Sequence, residues 1–303
     1  MTRNLPFLFL CATTLAASAQ TRYKDLMFSS YAVEKGLTYG EHQRFDLYQP
    51  KGDSNTRRPL MIWIHGGGFK FGSRRAAGIR LWCATFARRG YVCAAIDYRL
   101  GKKNFSFNFT DLVTDCLTAV RDVRHAVAYF KAGAAAWNID TTRIILAGNS
   151  AGGILALQAV YSNDAELQKL PPTKEAATPG WDARALSGNV NTMGIAAIVN
   201  YWGGIFDTLW LRQARVPIVS VHGDRDKIVP YDHKDYPLFG SLPIHRVAVA
   251  LGIPTALKTY HGYSHELQKH FFPLIAGRGT KKRWRDAAEF TADFLYTGLL
   301  QKE

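Results

Sequence analysis

Arg143-Ile144-Ile145-Leu146-Ala147-Gly148-Asn149-Ser150-Ala151-Gly152-Gly153 is the stretch on which the reading of the chain turns. Ile144 to Ala147 is a short apolar run suited to a strand covered on both faces. Gly148-Asn149-Ser150-Ala151-Gly152 has the form Gly-x-Ser-x-Gly, and Ile154-Leu155-Ala156-Leu157-Gln158-Ala159-Val160 continues as a buried helix. Strand, sharp turn and helix in that order hold a serine at a strained corner, with small residues where helix and strand pass too close for side chains. The hydroxyl then sits at the N-terminus of a helix, which favours developing negative charge. The five-residue pattern alone arises by chance; its setting between strand and helix makes it informative.

A bare serine is a poor nucleophile and needs a base, an orienter for that base, and donors for an oxyanion. Three more strand-then-loop stretches offer them in turn. Pro59-Leu60-Met61-Ile62-Trp63-Ile64 runs into His65-Gly66-Gly67-Gly68-Phe69, where consecutive glycines free the backbone to turn N–H groups toward a ligand, together with that of Ala151. Pro217-Ile218-Val219-Ser220-Val221 runs into His222-Gly223-Asp224-Arg225-Asp226, which brings two carboxylates to a strand end. Asp226 is the expected orienter; Asp224 is the alternative and better suited to capping the turn. Pro254 to Tyr260 is the last strand and leads into His261-Gly262-Tyr263-Ser264-His265. His265 is the expected base, because Gly262 frees the loop to carry a later histidine back over the sheet, and His261 is the alternative.

With these motifs in place, together with Asp97-Tyr98-Arg99 and Val229-Pro230, the chain resembles α/β-hydrolases of the carboxylesterase type, close to the hormone-sensitive-lipase-like and small esterase/formamidase branches. The matching motifs span most of the chain after its leader. The resemblance implies Ser150 as nucleophile, Asp226 as orienter and His265 as base, with oxyanion donors at Gly67, Gly68 and Ala151. It implies hydrolysis of carboxylic esters through an acyl-enzyme, with no cofactor or metal, on a small-molecule or carbohydrate-linked ester. Asn149 departs from the Asp or Glu common in hormone-sensitive-lipase-like relatives, which bears on the subfamily and not on the chemistry. Peptidases of the acyl-peptide or prolyl-peptide type share the His-Gly-Asp-Arg-Asp and Val-Pro motif, but they usually carry a large propeller domain for which this chain has no room. Non-catalytic binding relatives usually lose a member of the triad, and none is missing here.

The remaining sequence frames these motifs. Thr2-Arg3-Asn4, the apolar run Leu5 to Ala17 and the site Ala17-Ser18-Ala19 read as an export signal with cleavage before Gln20, so residues 1–19 are expected to leave a secreted or periplasmic protein of residues 20–303. No later stretch is apolar enough for a membrane helix. One α/β catalytic domain suits this length, and 47% hydrophobic residues suffice for its core. Strands alternating with helices, among them 79–89 and 111–131, predict a mainly parallel sheet with helices on both faces and active groups beyond the strands' carboxyl ends. Gly36 to Pro50 alternates through Arg44 to Tyr48 as an edge hairpin strand would. Arg283 to Leu300 reads as an amphipathic helix closing the sheet. Residues 163–193 are rich in Pro, Thr, Asn and Gly and form either a small cap or rim or a plain surface excursion.

Phe69, Phe71, Trp181 and Trp202 are expected to edge an open cleft, with Phe69 and Trp202 binding substrate. With no N-terminal cap to cover a long chain, short acyl groups are expected to be preferred. After the leader three cysteines remain, Cys83, Cys93 and Cys116, an odd number read as buried thiols, with a Cys83–Cys93 disulfide open in an oxidising compartment. The formal net charge of +14 comes with no nucleic-acid motif and reads as a solvated basic surface.

Overall fold

The computed structural model describes residues 20–101, 109–169, 193–233, 238–272 and 275–301. Eight strands in these residues form one sheet: β1 (Tyr31–Thr38), β2 (Arg44–Pro50), β3 (Arg58–Ile64), β4 (Val92–Ile96), β5 (Ile139–Asn149), β6 (Ile195–Tyr201), β7 (Ile218–Gly223) and β8 (Thr255–Tyr260). Their order across the sheet is β1-β2-β4-β3-β5-β6-β7-β8. β1 and β2 are antiparallel to each other, β2 is antiparallel to β4, and every other pair is parallel. The expected mainly parallel α/β sheet is therefore present.

Parallel strands need crossovers, and the helices that make them cover both faces. Within β3, Leu60, Ile62 and Ile64 pack into one core cluster with Val120 and Val127 of α2 (Phe109–Ala132), Leu155 of α3 (Ala151–Tyr161) and Ile244 of α5 (Ser241–Ala250). Met61 and Trp63 face the other way, into a cluster with Ile79, Trp82 and Phe86 of α1 (Ala77–Ala87) and Trp284 and Leu295 of α6 (Arg278–Leu295). The period of two in a strand produces this split. With both faces covered, all seven residues of β3 are buried, as its unbroken apolar run predicts. Each large side chain so buried contributes roughly 1.5–3 kcal/mol.

The expected edge hairpin is present as β1 and β2, with β1 outermost; within it four consecutive β2 residues, Phe45 to Tyr48, are buried rather than alternating. Cys83, Cys93 and Cys116 are buried free thiols, as expected, and the alternative Cys83–Cys93 disulfide is not formed. The leader, Trp181 and most of the 163–193 insertion lie outside the described residues. Of that insertion, Asp164–Lys169 forms a short helix, α4. No helix among the described residues is long and apolar enough to cross a membrane.

Candidate active site

Because β3, β5, β7 and β8 run parallel, their carboxyl ends lie along one edge of the sheet, and the loops that follow them meet there. Ser150 follows β5 with φ 55° and ψ −125°, a left-handed conformation strained for a side chain other than glycine. Two close approaches make that corner possible. A Cβ on Gly148 would stand 2.2 Å from the Gly152 carbonyl oxygen, and one on Gly152 would stand 2.0 Å from that of Ile64. Only glycine lets the strand and α3 come so close.

His265 lies beyond β8 and reaches back over the sheet. Its Nε2 is 2.9 Å from Ser150 Oγ, and its Nδ1 is 2.6 Å from Asp226 Oδ2. The carboxylate has no hydrogen to give, so the neutral ring carries its proton on Nδ1, donates it to Asp226, and accepts the serine hydroxyl proton at Nε2. All three side chains are nearly buried: Ser150 is 7% exposed, Asp226 7% and His265 2%. Asp226 Oδ1 accepts from the backbone N–H groups of Ile228 and Val229 at 2.8 and 3.1 Å. Burial works to raise the Asp226 carboxyl, but hydrogen bonds from His222 and His265 outweigh it and hold the group well below the usual carboxylate range.

The two alternatives find each other instead. His261 Nδ1 lies 2.9 Å from Asp224 Oδ2, and Gly262 N–H donates to Asp224 Oδ1 at 2.7 Å. The His261 side chain is 83% exposed, so this pair braces the loop at the surface.

The glycine loop after β3 lies against the serine. A Cβ on Gly66 would stand 2.9 Å from that of Ser150. Gly67 has φ 122° and leaves no room for a side chain, since a Cβ there would meet the Phe71 carbonyl oxygen at 2.2 Å. Among the described residues the backbone N–H groups of Gly67, Gly68 and Ala151 have no hydrogen-bond acceptor. The loop itself is pinned from below. Tyr98 stacks on the His65 ring at 4.4 Å and donates its hydroxyl to the His65 carbonyl oxygen at 3.1 Å. Arg99 in turn holds Asp122, fully buried on α2, through its side chain and backbone N–H. Tyr98 of Asp97-Tyr98-Arg99 thus braces the start of the glycine loop.

Phe69 and Trp202, expected to bind substrate, are both 0% exposed. Each has positive φ, 62° and 39°, and each side chain packs in the core, Trp202 against Trp82 and Trp284. Neither offers surface to a ligand, which corrects that expectation. The aromatic that does meet the site is Phe271, half-buried, whose ring stands at 87° to that of His265 with centroids 4.9 Å apart. It lies six residues beyond His265 in a loop with no periodic pattern, and no sequence signal marks it. No group of three His, Cys, Asp or Glu side chains among the described residues is arranged to hold a metal ion.

A hydroxyl bonded to an imidazole, and an imidazole bonded to a buried carboxylate, can deprotonate the serine as it attacks a carbonyl, and unspent N–H groups of an adjoining glycine loop are the kind of donor that holds the oxyanion formed. Comparison with known proteins fits this arrangement. The BD-FAE family model matches residues 45–207, more than half of the chain. The chain belongs to the BD-FAE family. In this BD-FAE chain the matched residues include Ser150 and the glycine loop and end before Asp226 and His265.

Arylacetamide deacetylase-like 2 of Homo sapiens is 30% identical over 193 residues, 61% of this chain and 42% of that protein. The probable carboxylic ester hydrolase LipM of Mycobacterium tuberculosis is 31% identical over 157 residues, 50% of this chain and 33% of that one. The chain thus spans well under half the length of the curated relatives it matches. Among solved structures, Thermogutta terrifontis esterase 2 phosphorylated by paraoxon superposes with a TM-score of 0.62 at 22% identity, covering 93% of this chain and 98% of that one. The BD-FAE chain accordingly has the α/β-hydrolase fold.

Proposed function

We propose that this protein is an exported serine carboxylesterase that cleaves small carboxylic esters through an acyl-enzyme on Ser150. The observation that carries the reading is the buried hydrogen-bonded chain from Ser150 Oγ through His265 to Asp226, at 2.9 and 2.6 Å. In this reading His265 takes the serine proton as Oγ attacks the ester carbonyl. The oxyanion is held by the N–H groups of Gly67, Gly68 and Ala151. The same imidazole then returns the proton to the leaving alcohol, and water repeats the sequence to release the acid. Membership of the BD-FAE family and the ester-hydrolase names of the relatives support this chemistry.

The preferred acyl group is short. Only seven residues, 51–57, separate β2 from β3, too few to roof a long apolar tunnel. Each methylene contributes about 0.8 kcal/mol only when it is fully covered. Export is read from residues 1–19, with Gln20 as the mature N-terminus; a secreted product whose first peptide still carries Met1 contradicts it.

A p-nitrophenyl ester series from acetate to palmitate, run on wild type and on Ser150→Ala, tests the proposal. Wild type is expected to show its largest kcat/KM at the short end. The folded variant is expected to lose nearly all turnover, of order 10⁶ where the whole triad acts as a unit. Wild-type turnover by Ser150→Ala removes the mechanism, and specificity constants rising steadily to palmitate remove the acyl preference.

A further inference from the structure

A second histidine touches the carboxylate of the site. His222 lies at the end of β7, four residues before Asp226, and is 0% exposed. Its Nε2 is 3.2 Å from Asp226 Oδ2 and 3.1 Å from the carbonyl oxygen of Val229. Its Nδ1 is 2.7 Å from the hydroxyl of Ser241, the first residue of α5. Neither the carbonyl nor the carboxylate can donate, so the proton of the neutral ring belongs on Nε2, and Nδ1 accepts from Ser241. Asn200, fully buried at the end of β6, donates from Nδ2 to the hydroxyls of both Ser241 and Ser220 at 3.1 Å, while its Oδ1 accepts from Gly203 N–H at 3.1 Å. The donors in this buried series run toward Asp226: Asn200 to Ser241, Ser241 to His222, and the single Nε2 hydrogen of His222 to the Val229 carbonyl oxygen at 3.1 Å, with the carboxylate Oδ2 as its second acceptor at 3.2 Å.

We infer that His222, oriented by Ser241 and Asn200, is a positioning residue for hydrolysis, which fixes Asp226 Oδ2 toward His265 and tempers its strength as an acceptor. The inference rests on the proposed role of Ser150, His265 and Asp226. Without His222, Oδ2 would meet His265 as its one imidazole and keep more of its electron density for that bond. His222 draws on that density by placing a second donor on the oxygen that His265 uses. Buried and fully satisfied, the series is rigid, and a half-satisfied one would be costly. Outer-shell groups that orient a functional side chain have measurable weight: at metal sites, loss of such a supporting bond costs about 10- to 100-fold in metal affinity or activity.

The sign of the pH effect follows from the groups present. Around His222 the titratable groups are Asp226 and Tyr231, whose ring meets the imidazole edge-on at 5.7 Å and whose hydroxyl is bonded to Thr259. Around His265 they are Asp226, Glu266 beside it in the chain, and Arg283 of α6, which holds the carbonyl oxygen of Leu267. Removing the His222 donor leaves Oδ2 a stronger acceptor for His265 and stabilises its imidazolium. The base then stays protonated to higher pH, and the acid limb of kcat/KM moves upward.

The test compares His222→Asn with His222→Gln on p-nitrophenyl acetate, with rates normalised to active sites counted by a fluorophosphonate. Asn keeps an amide near the Nδ1 position, facing Ser241, and withdraws the donor from Asp226; Gln extends an amide N–H to it. Expected for Asn is a fall in kcat of about 10- to 100-fold, with KM little changed and the acid limb moved up, and for Gln recovery of most of that loss. Should Asn fail to fold, Ser241→Ala, which keeps the imidazole and removes its orienter, is expected to show the same upward limb with a smaller fall in kcat. Equal rates and unmoved pH profiles in Asn and Gln, or a wild-type profile in Ser241→Ala, overturn the inference. Ser150→Ala measured alongside separates the two levels: an active Ser150→Ala removes the proposed function, whereas a dead Ser150→Ala with a wild-type His222→Asn removes only the role of His222.

Discussion

At the scale of single residues, the site is a competition for hydrogens in a nearly dry place. Asp226 receives two backbone N–H groups on Oδ1 and two imidazoles on Oδ2, so its charge is stabilised despite burial. Asp224, one turn of chain away, has a single exposed imidazole and one backbone donor. The ranking follows: Asp226→Asn is expected to lower kcat by about 10⁴-fold, as loss of an orienting aspartate can, and Asp224→Asn by far less. Steady-state kinetics on the two purified variants checks it, and a reversed order moves the orienter to Asp224. Ser150, Asp226 and His265 could be singled out in the sequence because each follows an apolar strand run by a few residues. His222 was visible only as a member of a motif. Its importance depends on Ser241 and Asn200, far away in sequence, and no local pattern marks such a contact. Phe69 and Trp202 misled for a related reason: they flank the loops that carry the chemistry, yet positive φ at each accompanies a side chain packed into the core.

At the scale of elements, Ser150 is held by the contact of β5 and β3 with α3. Gly152→Ala sets a Cβ 2.0 Å from a backbone oxygen that cannot swing away, so helix and strand must separate. Overpacking of this kind costs about 1–3 kcal/mol, and the displaced Ser150 should lose activity along with stability. Gly298→Ala, with nothing within 4 Å of the new atom, is the control and is expected to be near neutral. Thermal unfolding of the pair decides: equal melting temperatures contradict the packing argument. The histidine loop has its own anchor, since Trp284 Nε1 donates to the Glu266 carbonyl oxygen at 2.8 Å and Arg283 Nε to that of Leu267 at 2.7 Å. Glu266 and Leu267 both adopt positive φ there, a strain this double clamp maintains. The parallel strands were legible from their apolar runs. β1 is only partly so, because all of it is exposed or half-exposed and its apolar period is weak. α5 is not legible: Pro243 lies in its first turn and its exposed Val249 blurs the helical period.

At the scale of the whole molecule, the central strands are buried on both faces, and the groups of the candidate site gather at the sheet's carboxyl edge. The fold was legible because four strand-then-loop motifs recur in a fixed order along most of the chain, and agreement among them is stronger than any one alone. Substrate-facing surface was not legible, because it depends on which aromatics the loops turn inward. The central claim is that Ser150, activated by His265, is the nucleophile, and active-site labelling addresses it most directly. Wild-type protein and His265→Ala are treated with a fluorophosphonate and digested, and the modified peptide is located by mass spectrometry. The account predicts one stoichiometric adduct on Ser150 in the wild type and labelling slowed by orders of magnitude in His265→Ala. An adduct on another residue, or equally fast labelling of both proteins, would contradict it.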